Sequence, residues 1–182
     1  MHITLRARPG LPSFRAQLVH ELVVASIARL NDEAFQIVHH SIQTNHVHLV
    51  VEARDRETVT RKMSGFAIGV AKRLNRQVLR RRRGKVWADR YYRRDIQRAG
   101  DMHAVLRYVF GNAKRHGIIP ADAIALDPYS SAWRFRGFDV DFPIPAGREH
   151  VPRPAPRTRL LGEDWLAWGL VPVAGAPGPA RC

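Results

Sequence analysis

The stretch FQIVHHSIQTNHVHLVVE, from Phe35 to Glu52, contains two strand-like runs separated by the dipeptide Thr44-Asn45. Successive side chains of a strand point to opposite faces of a sheet, so His46 and His48 share one face. The apolar residues between and after them point to the other face. We predict an antiparallel hairpin, although the link lacks the Asn-Gly dipeptide typical of short turns. Two adjacent neutral imidazoles are typical of half a metal site, but they also fit two histidines on a hydrated sheet face.

The flanking sequence predicts further strands and helices. HITLRAR (2–8) alternates like a strand, and KVWADRYYRRDIQ (85–97) is predicted to be another. A helix is predicted over 14–31, with an apolar stripe at Leu18, Leu22, Ala25 and Leu30. A longer helix over 56–79 has its stripe at Val59, Met63, Phe66, Val70 and Leu74.

The last predicted helix begins at a capping Asp101 and ends at Gly117. The order strand, helix, strand, strand, helix, strand, helix predicts an α+β fold of the ferredoxin-like type. It has a four-stranded antiparallel sheet with helices on one face, plus an additional C-terminal helix.

The chain is predicted to divide into a domain over 1–142 and a Pro-rich, partly disordered tail over 143–182. Prolines cluster in VPRPAPR and VPVAGAPGPA of the tail. Its EDWLAWGL segment is a candidate short helix that docks through Trp165 and Trp168.

The composition favours a polyanionic partner. Thirty Lys and Arg against sixteen Asp and Glu give a formal net charge of +14, which is typical of nucleic-acid binding. An anionic membrane surface is the rival partner, but no suitable amphipathic helix is evident. There is no run of about 20 apolar residues, no signal-peptide pattern, and one cysteine, Cys182. We therefore expect a cytoplasmic, nucleoid-associated protein that does not enter a membrane.

One tyrosine of the last helix lies off its apolar stripe, which consists of Met102, Leu106, Val109, Phe110 and Ala113. Tyr108 is roughly opposite that stripe, and Asn112 follows one turn later on the same face. Taken alone, this pattern fits either a solvent-exposed tyrosine or one that points into a site.

Together these features resemble the single-tyrosine HUH transposases, an IS200-like family, and in particular the REP-associated tyrosine transposases. The resemblance is carried by TNHVHLVVEA, GKVWADRYYRRDI, LRYVFGNAKRHG and DPYSSAW, and it covers the chain from His2 to about Phe138. It implies the ferredoxin-like fold and metal-dependent cleavage and rejoining of single-stranded DNA. It also implies that His46, His48 and Asn112 bind the metal and that Tyr108 is the nucleophile.

The implied chemistry suits these residue types. Two imidazoles and an amide oxygen form a neutral ligand set for Mg²⁺ or Mn²⁺, and the DNA phosphate would supply negative charge. Tyr108 would form a 5′-phosphotyrosine and release a 3′-hydroxyl. No Gly-x-x-x-x-Gly-Lys nucleotide-binding loop is present, in agreement with rejoining that needs no nucleotide.

A basic segment is the predicted contact with single-stranded or hairpin DNA. Trp87, Tyr91 and Tyr92 lie within it as candidate base-stacking residues, although Trp87 fits a core position equally well. The predicted phosphate-binding residues are Arg80, Arg81, Arg82, Arg83, Lys85, Arg90, Arg93 and Arg94.

Two other functions are compatible with parts of the pattern. A DNA-binding protein that recognises a hairpin without cutting it would share the fold, and RNA-binding modules share the sheet topology. RNA-binding modules usually place aromatic residues where this chain has histidines. Both a homodimer and a monomer remain open.

Overall fold

The computed structural model describes residues 1–80, 83–143 and 154–178. One antiparallel sheet has the strand order β2-β3-β1-β4. Its strands are β1 (His2–Arg6), β2 (Phe35–Ile42), β3 (His46–Ala53) and β4 (Tyr92–Arg94). The helices are α1 (Gln17–Ala28), α2 (Arg56–Arg73), α3 (Ala99–Phe110), α4 (Asn112–Arg115) and α5 (Arg159–Gly162). The predicted α+β fold and the β2-β3 hairpin are confirmed.

One face of the sheet packs against α1 and α2 in an apolar core. Val47, Leu49 and Val51 of β3 point into this core, as the alternation predicts. The predicted stripe of α2 is buried along its whole length. This helix starts at the Asp55 cap, whose carboxylate accepts the Thr58 N–H at 2.7 Å, and it ends in a π-helical turn over 74–78.

The predicted stripe of α1 is half right, because Leu22 is buried and Leu30 packs on the core, while the other two residues are exposed. Leu18 is 67% exposed and Ala25 is also exposed. The helix has apolar residues on overlapping stripes, and packing on the sheet selects another one: Val19, Leu22, Val23, Ser26 and Ile27.

The opposite face of the sheet is covered by α3 and by part of the C-terminal segment. Leu161, Trp165 and Val171 belong to the apolar cluster built around α3. Trp165 is buried as predicted, whereas Trp168 is 65% exposed, although its ring lies against Gly100. The described part of this segment is therefore packed, while the division of the chain at 142/143 stays a prediction.

The fourth strand is shorter than the predicted 85–97. Only Tyr92–Arg94 pairs continuously with β1, and a separate bridge joins Ala7 to Trp87. Trp87 lies in the core, where its Nε1–H donates to the carbonyl of Ala67 at 2.8 Å. Tyr91 packs on the same core and Tyr92 is 54% exposed, as the alternation predicts.

The last helix begins earlier and is less regular than predicted. Arg98, not Asp101, is its N-terminal cap residue. Asp101 lies in the first turn, where a negative charge is favourable. Its carboxylate also pairs with Arg94 at 2.8 Å. Gly111 separates α3 from α4, and Gly117 ends α4 with a φ of +67°. In the described parts of the chain, no helix is long and apolar enough to cross a bilayer.

Candidate active site

The pairing of β1 with β3 sets the geometry of the site, because their register places Thr4 opposite His48 and Arg6 opposite His46. His48 is 3% exposed. Its Nδ1 lies 3.1 Å from Nε2 of His2 and 3.0 Å from Oγ1 of Thr4. Its other ring nitrogen, Nε2, is buried and has no hydrogen-bond partner among the described residues.

His46 lies beside His48, with their ring centroids 4.8 Å apart. Its Nδ1 is 2.8 Å from Oδ1 of Asn45, the last residue of the hairpin link. The ring of His116, which follows α4, lies 5.2 Å from that of His46. Both predicted histidines therefore face the same side of the sheet as α3 and α4.

Tyr108 reaches the histidines from α3. Its ring is edge-on to His48, with 5.2 Å between centroids, and 5.9 Å from His2. The guanidinium carbon of Arg115 lies 5.7 Å from the centre of the Tyr108 ring. A cavity of about 230 Å³ opens beside Tyr108, and Arg94 and Arg107 are among its lining residues. The tyrosine thus points into a site, and all of these side chains come from one chain.

Asn112, the first residue of α4, is completely buried. Gly111 separates α3 from α4, and the amide of Asn112 lies close enough to His46 to affect the pKa of that imidazole. The proximity favours the protonated form of that imidazole, but neither polar atom of the Asn112 side chain meets hydrogen-bond geometry with any described residue. Buried amides almost always have partners, so the Asn112 side chain has hydrogen-bonding capacity left for a bound group.

The environment keeps the histidines neutral. Burial lowers the pKa of His48 well below its usual value, and the neighbouring His2, His46 and His116 contribute. Burial and then His116 lower the pKa of His46 to about 4. The pKa of His2 is also lowered to about 4, by burial, the N-terminal ammonium and Arg94. Neutral imidazoles have the free lone pair that metal binding requires.

The donor atoms fit a divalent cation held jointly with a substrate. His48 Nε2 and the Asn112 carbonyl oxygen are both buried and unpartnered, and His46 lies next to them. Within 1–80, 83–143 and 154–178, no three His, Cys, Asp or Glu side chains form a metal-binding cluster. The predicted set has only two such residues, and the amide of Asn112 would be its third protein ligand.

The basic segment is arranged in two parts. Arg80, Arg83, Lys85 and Arg90 are exposed, and Arg80 has a φ of +48°. Arg93 and Arg94 are ion-paired, with Asp95 at 2.7 Å and with Asp101 at 2.8 Å. Arg81 and Arg82 lie outside the described residues.

Three residues near the site were not predicted. His2 and Thr4 contact His48 directly, and the exposed His116 contacts His46. The alternation of β1 places His2 and Thr4 on one face, but the sequence does not show which strand they pair with. His39 faces α3 as well, yet it packs against Phe110 and Phe135 away from the site.

Comparisons with known proteins show which family the chain belongs to. The family model described as "Transposase IS200 like" matches residues 2–112, a range that includes both histidines, Tyr108 and Asn112. The chain therefore belongs to the IS200-like transposase family, which confirms the predicted resemblance.

A solved structure described as "Structure of the REP associates tyrosine transposase bound to a REP hairpin" has the same fold. Its TM-score is 0.55 at 16% sequence identity, and the match covers 73% of this chain and 76% of that chain. No curated protein sequence matches the chain.

Proposed function

We propose that this protein cuts and rejoins single-stranded DNA during transposition, with Tyr108 as nucleophile and a divalent cation as cofactor. The observation that carries the proposal is the arrangement around His48. Tyr108 lies edge-on to this ring, while His48 Nε2 and the Asn112 oxygen are buried without partners.

His46, His48 and Asn112 would hold the cation. Mg²⁺ or Mn²⁺ bound there would polarise the scissile phosphate and stabilise charge in the transition state. Because the protein ligands are neutral, the DNA phosphate completes the site with its negative charge.

The proposed cleavage is a transesterification. The hydroxyl oxygen of Tyr108 attacks the phosphorus and loses its proton, and the bond from phosphorus to the 3′ oxygen breaks. The products are a 5′-phosphotyrosine and a 3′-hydroxyl that takes up a proton. A second 3′-hydroxyl can reverse the reaction, since the phosphodiester energy is kept in the tyrosine linkage. Arg115, near the Tyr108 ring, stabilises the phenolate that forms as the proton leaves.

The DNA strand would follow positive charge to the tyrosine. Arg94 and Arg107 line the cavity beside Tyr108, and Arg83, Lys85 and Arg90 are exposed on the preceding segment. The structurally similar transposase was solved with a REP hairpin, which supports single-stranded or hairpin DNA as the partner here. One chain supplies every proposed catalytic residue, so the proposed reaction does not require a second subunit. A homodimer stays a prediction.

A covalent-adduct assay tests the reaction. Wild-type protein and Tyr108→Phe are incubated with labelled single strands that tile the flanks of the protein's own gene, with Mn²⁺ or with EDTA. We expect labelled DNA to stay on the wild-type protein in a denaturing gel only when Mn²⁺ is present, and Tyr108→Phe to form none. Tyr92→Phe is the matched control, since Tyr92 is exposed on β4.

Two outcomes would contradict the proposal. An adduct that survives Tyr108→Phe would place the nucleophile elsewhere. Tight binding to one flanking hairpin without any adduct would favour a DNA-binding protein that does not cut.

A further inference from the structure

His2 occupies a position that the proposed reaction does not explain. It is the first residue of β1, 5% exposed, and its ring stacks beside that of His48 with 5.2 Å between centroids. Its Nε2 lies 3.1 Å from His48 Nδ1. Burying an imidazole is costly unless its ring nitrogens are satisfied, so this contact calls for an explanation.

The contact is to the nitrogen of His48 that is remote from the proposed cation. In a neutral imidazole one nitrogen carries the proton and the other carries the lone pair. For Nε2 of His48 to bind a cation, its proton must be on Nδ1. That N–H then needs an acceptor, and the two atoms within reach are His2 Nε2 at 3.1 Å and Thr4 Oγ1 at 3.0 Å.

We propose that His2 is a positioning residue that accepts the Nδ1 proton of His48 and so keeps Nε2 of His48 available to bind the cation. In this arrangement His2 carries its own proton on Nδ1. Thr4 contacts the same His48 nitrogen and supports the ring orientation. Histidines that bind metals generally donate their second N–H to a hydrogen-bond acceptor, most often a carboxylate, a backbone carbonyl or water, and losing the acceptor weakens metal binding about 10–100-fold.

The contact with Tyr108 gives His2 a second role in the same site. The Tyr108 ring lies 5.9 Å from the His2 ring and nearly perpendicular to it, at 71°. The His2 ring therefore packs against both a proposed metal ligand and the proposed nucleophile, and it helps to set the distance between them.

The tautomer of His48 can be measured directly in the metal-free protein. In protein labelled with ¹⁵N at histidine, long-range ¹H–¹⁵N spectra report which ring nitrogen carries the proton. We expect wild-type His48 to be protonated on Nδ1. His2→Phe keeps a ring of similar size but removes the acceptor, so we expect a mixture of tautomers. His2→Gln, whose amide oxygen can accept, should restore the wild-type tautomer.

Metal affinity provides the second measurement. The His2 variants are made in the Tyr108→Phe background with single-stranded DNA bound, so that no strand is cut, and free Mn²⁺ is followed by electron paramagnetic resonance. We expect His2→Phe to weaken Mn²⁺ binding about 10–100-fold and His2→Gln to weaken it less. Leu18→Phe is the control, because Leu18 is 67% exposed on α1, on the other side of the sheet from the site.

The proposal is overturned if wild-type His48 carries its proton on Nε2, or if folded His2→Phe binds Mn²⁺ as tightly as wild type. It rests on the proposed function only for the identity of the cation. Absence of a tyrosine adduct would defeat that function while leaving the tautomer result standing. If His2→Phe fails to fold, the wild-type spectrum and His2→Gln still decide the question.

Discussion

Glu52→Gln should release the C-terminal segment from the sheet. Glu52 lies near the end of β3, on the same face as His46 and His48, and is 8% exposed. Its Oε1 accepts the Thr158 N–H at 2.9 Å and the Thr158 hydroxyl at 2.5 Å. Its Oε2 accepts the Arg157 N–H at 2.8 Å and the Gln36 amide at 2.6 Å. Two donors thus meet each carboxylate oxygen.

The expected loss follows from this pairing. Glutamine has the same shape, but one carboxylate oxygen becomes an NH₂ group, so two of the four donors face another donor. A buried donor left unpaired costs about 1–3 kcal/mol, and we expect a total loss of roughly 2–4 kcal/mol after the segment relaxes. For a chain of this length that corresponds to a fall in Tm of roughly 5–15 °C.

Thermal unfolding followed by circular dichroism measures the loss. Hydrogen exchange at the amides of Arg157 and Thr158 shows whether this segment is the part released. Glu163→Gln is the matched control, because Glu163 is exposed and its pair with Arg159 is 3.9 Å apart. The reasoning fails if the two variants lose the same stability, or if both amides stay protected in Glu52→Gln.

The pH dependence gives an independent check of the same contacts. Burial alone would raise the pKa of Glu52, but hydrogen bonds from Thr158, Arg157 and Gln36 lower it below the usual value. A lowered carboxyl pKa contributes stability that is present above the unfolded-state pKa and disappears as the pH falls through the folded-state pKa. The difference between wild type and Glu52→Gln should therefore shrink in acid.

Two further predictions concern packing and DNA contact. In Gly137→Ala the new Cβ would lie 2.1 Å from the Trp165 ring, so we expect the free energy of unfolding to fall by about 3 kcal/mol. In Gly65→Ala the new Cβ meets no atom within 4 Å, so the free energy of unfolding should rise by about 0.5–1 kcal/mol. Urea unfolding compares the two variants. Arg90→Ala should reduce the slope of log affinity for single-stranded DNA against log salt concentration by about one unit. Arg29→Ala, which lies outside the basic segment, should leave that slope unchanged. Equal slopes in the two variants would show that Arg90 does not contact the DNA.

Strand alternation made part of the site predictable. His46 and His48 share a face whatever the partner strand, because the period of a strand is two. Tyr108 and Asn112 were expected on one helix face because the helical period is 3.6, but Gly111 ends α3 between them and Asn112 begins α4. Strand periodicity therefore predicted which histidines lie together, and the structure brings Tyr108 of α3 against His48, as the family resemblance implied.

Contacts that depend on the arrangement of distant elements were not predictable. His2 reaches His48 only because β1 pairs with β3 in one particular register, and other registers would fit the alternation of β1 equally well. The α1 stripe was only half right for a related reason, since its sequence allows several buried faces and the sheet selects one. Glu52 likewise meets Arg157 and Thr158 across more than a hundred residues.

One quoted motif, DPYSSAW, has a structural explanation that its sequence does not reveal. Asp127 accepts two hydrogen bonds from the guanidinium of Arg15, at 2.8 and 2.9 Å, and that guanidinium also stacks on Tyr129. The same Arg15 donates to the carbonyl of Ile42 at the end of β2. Because β2 leads through the hairpin link into His46, this cluster holds the end of the hairpin that carries the histidines. The motif thus supports the strand hairpin that carries His46 and His48 without contributing a proposed catalytic side chain.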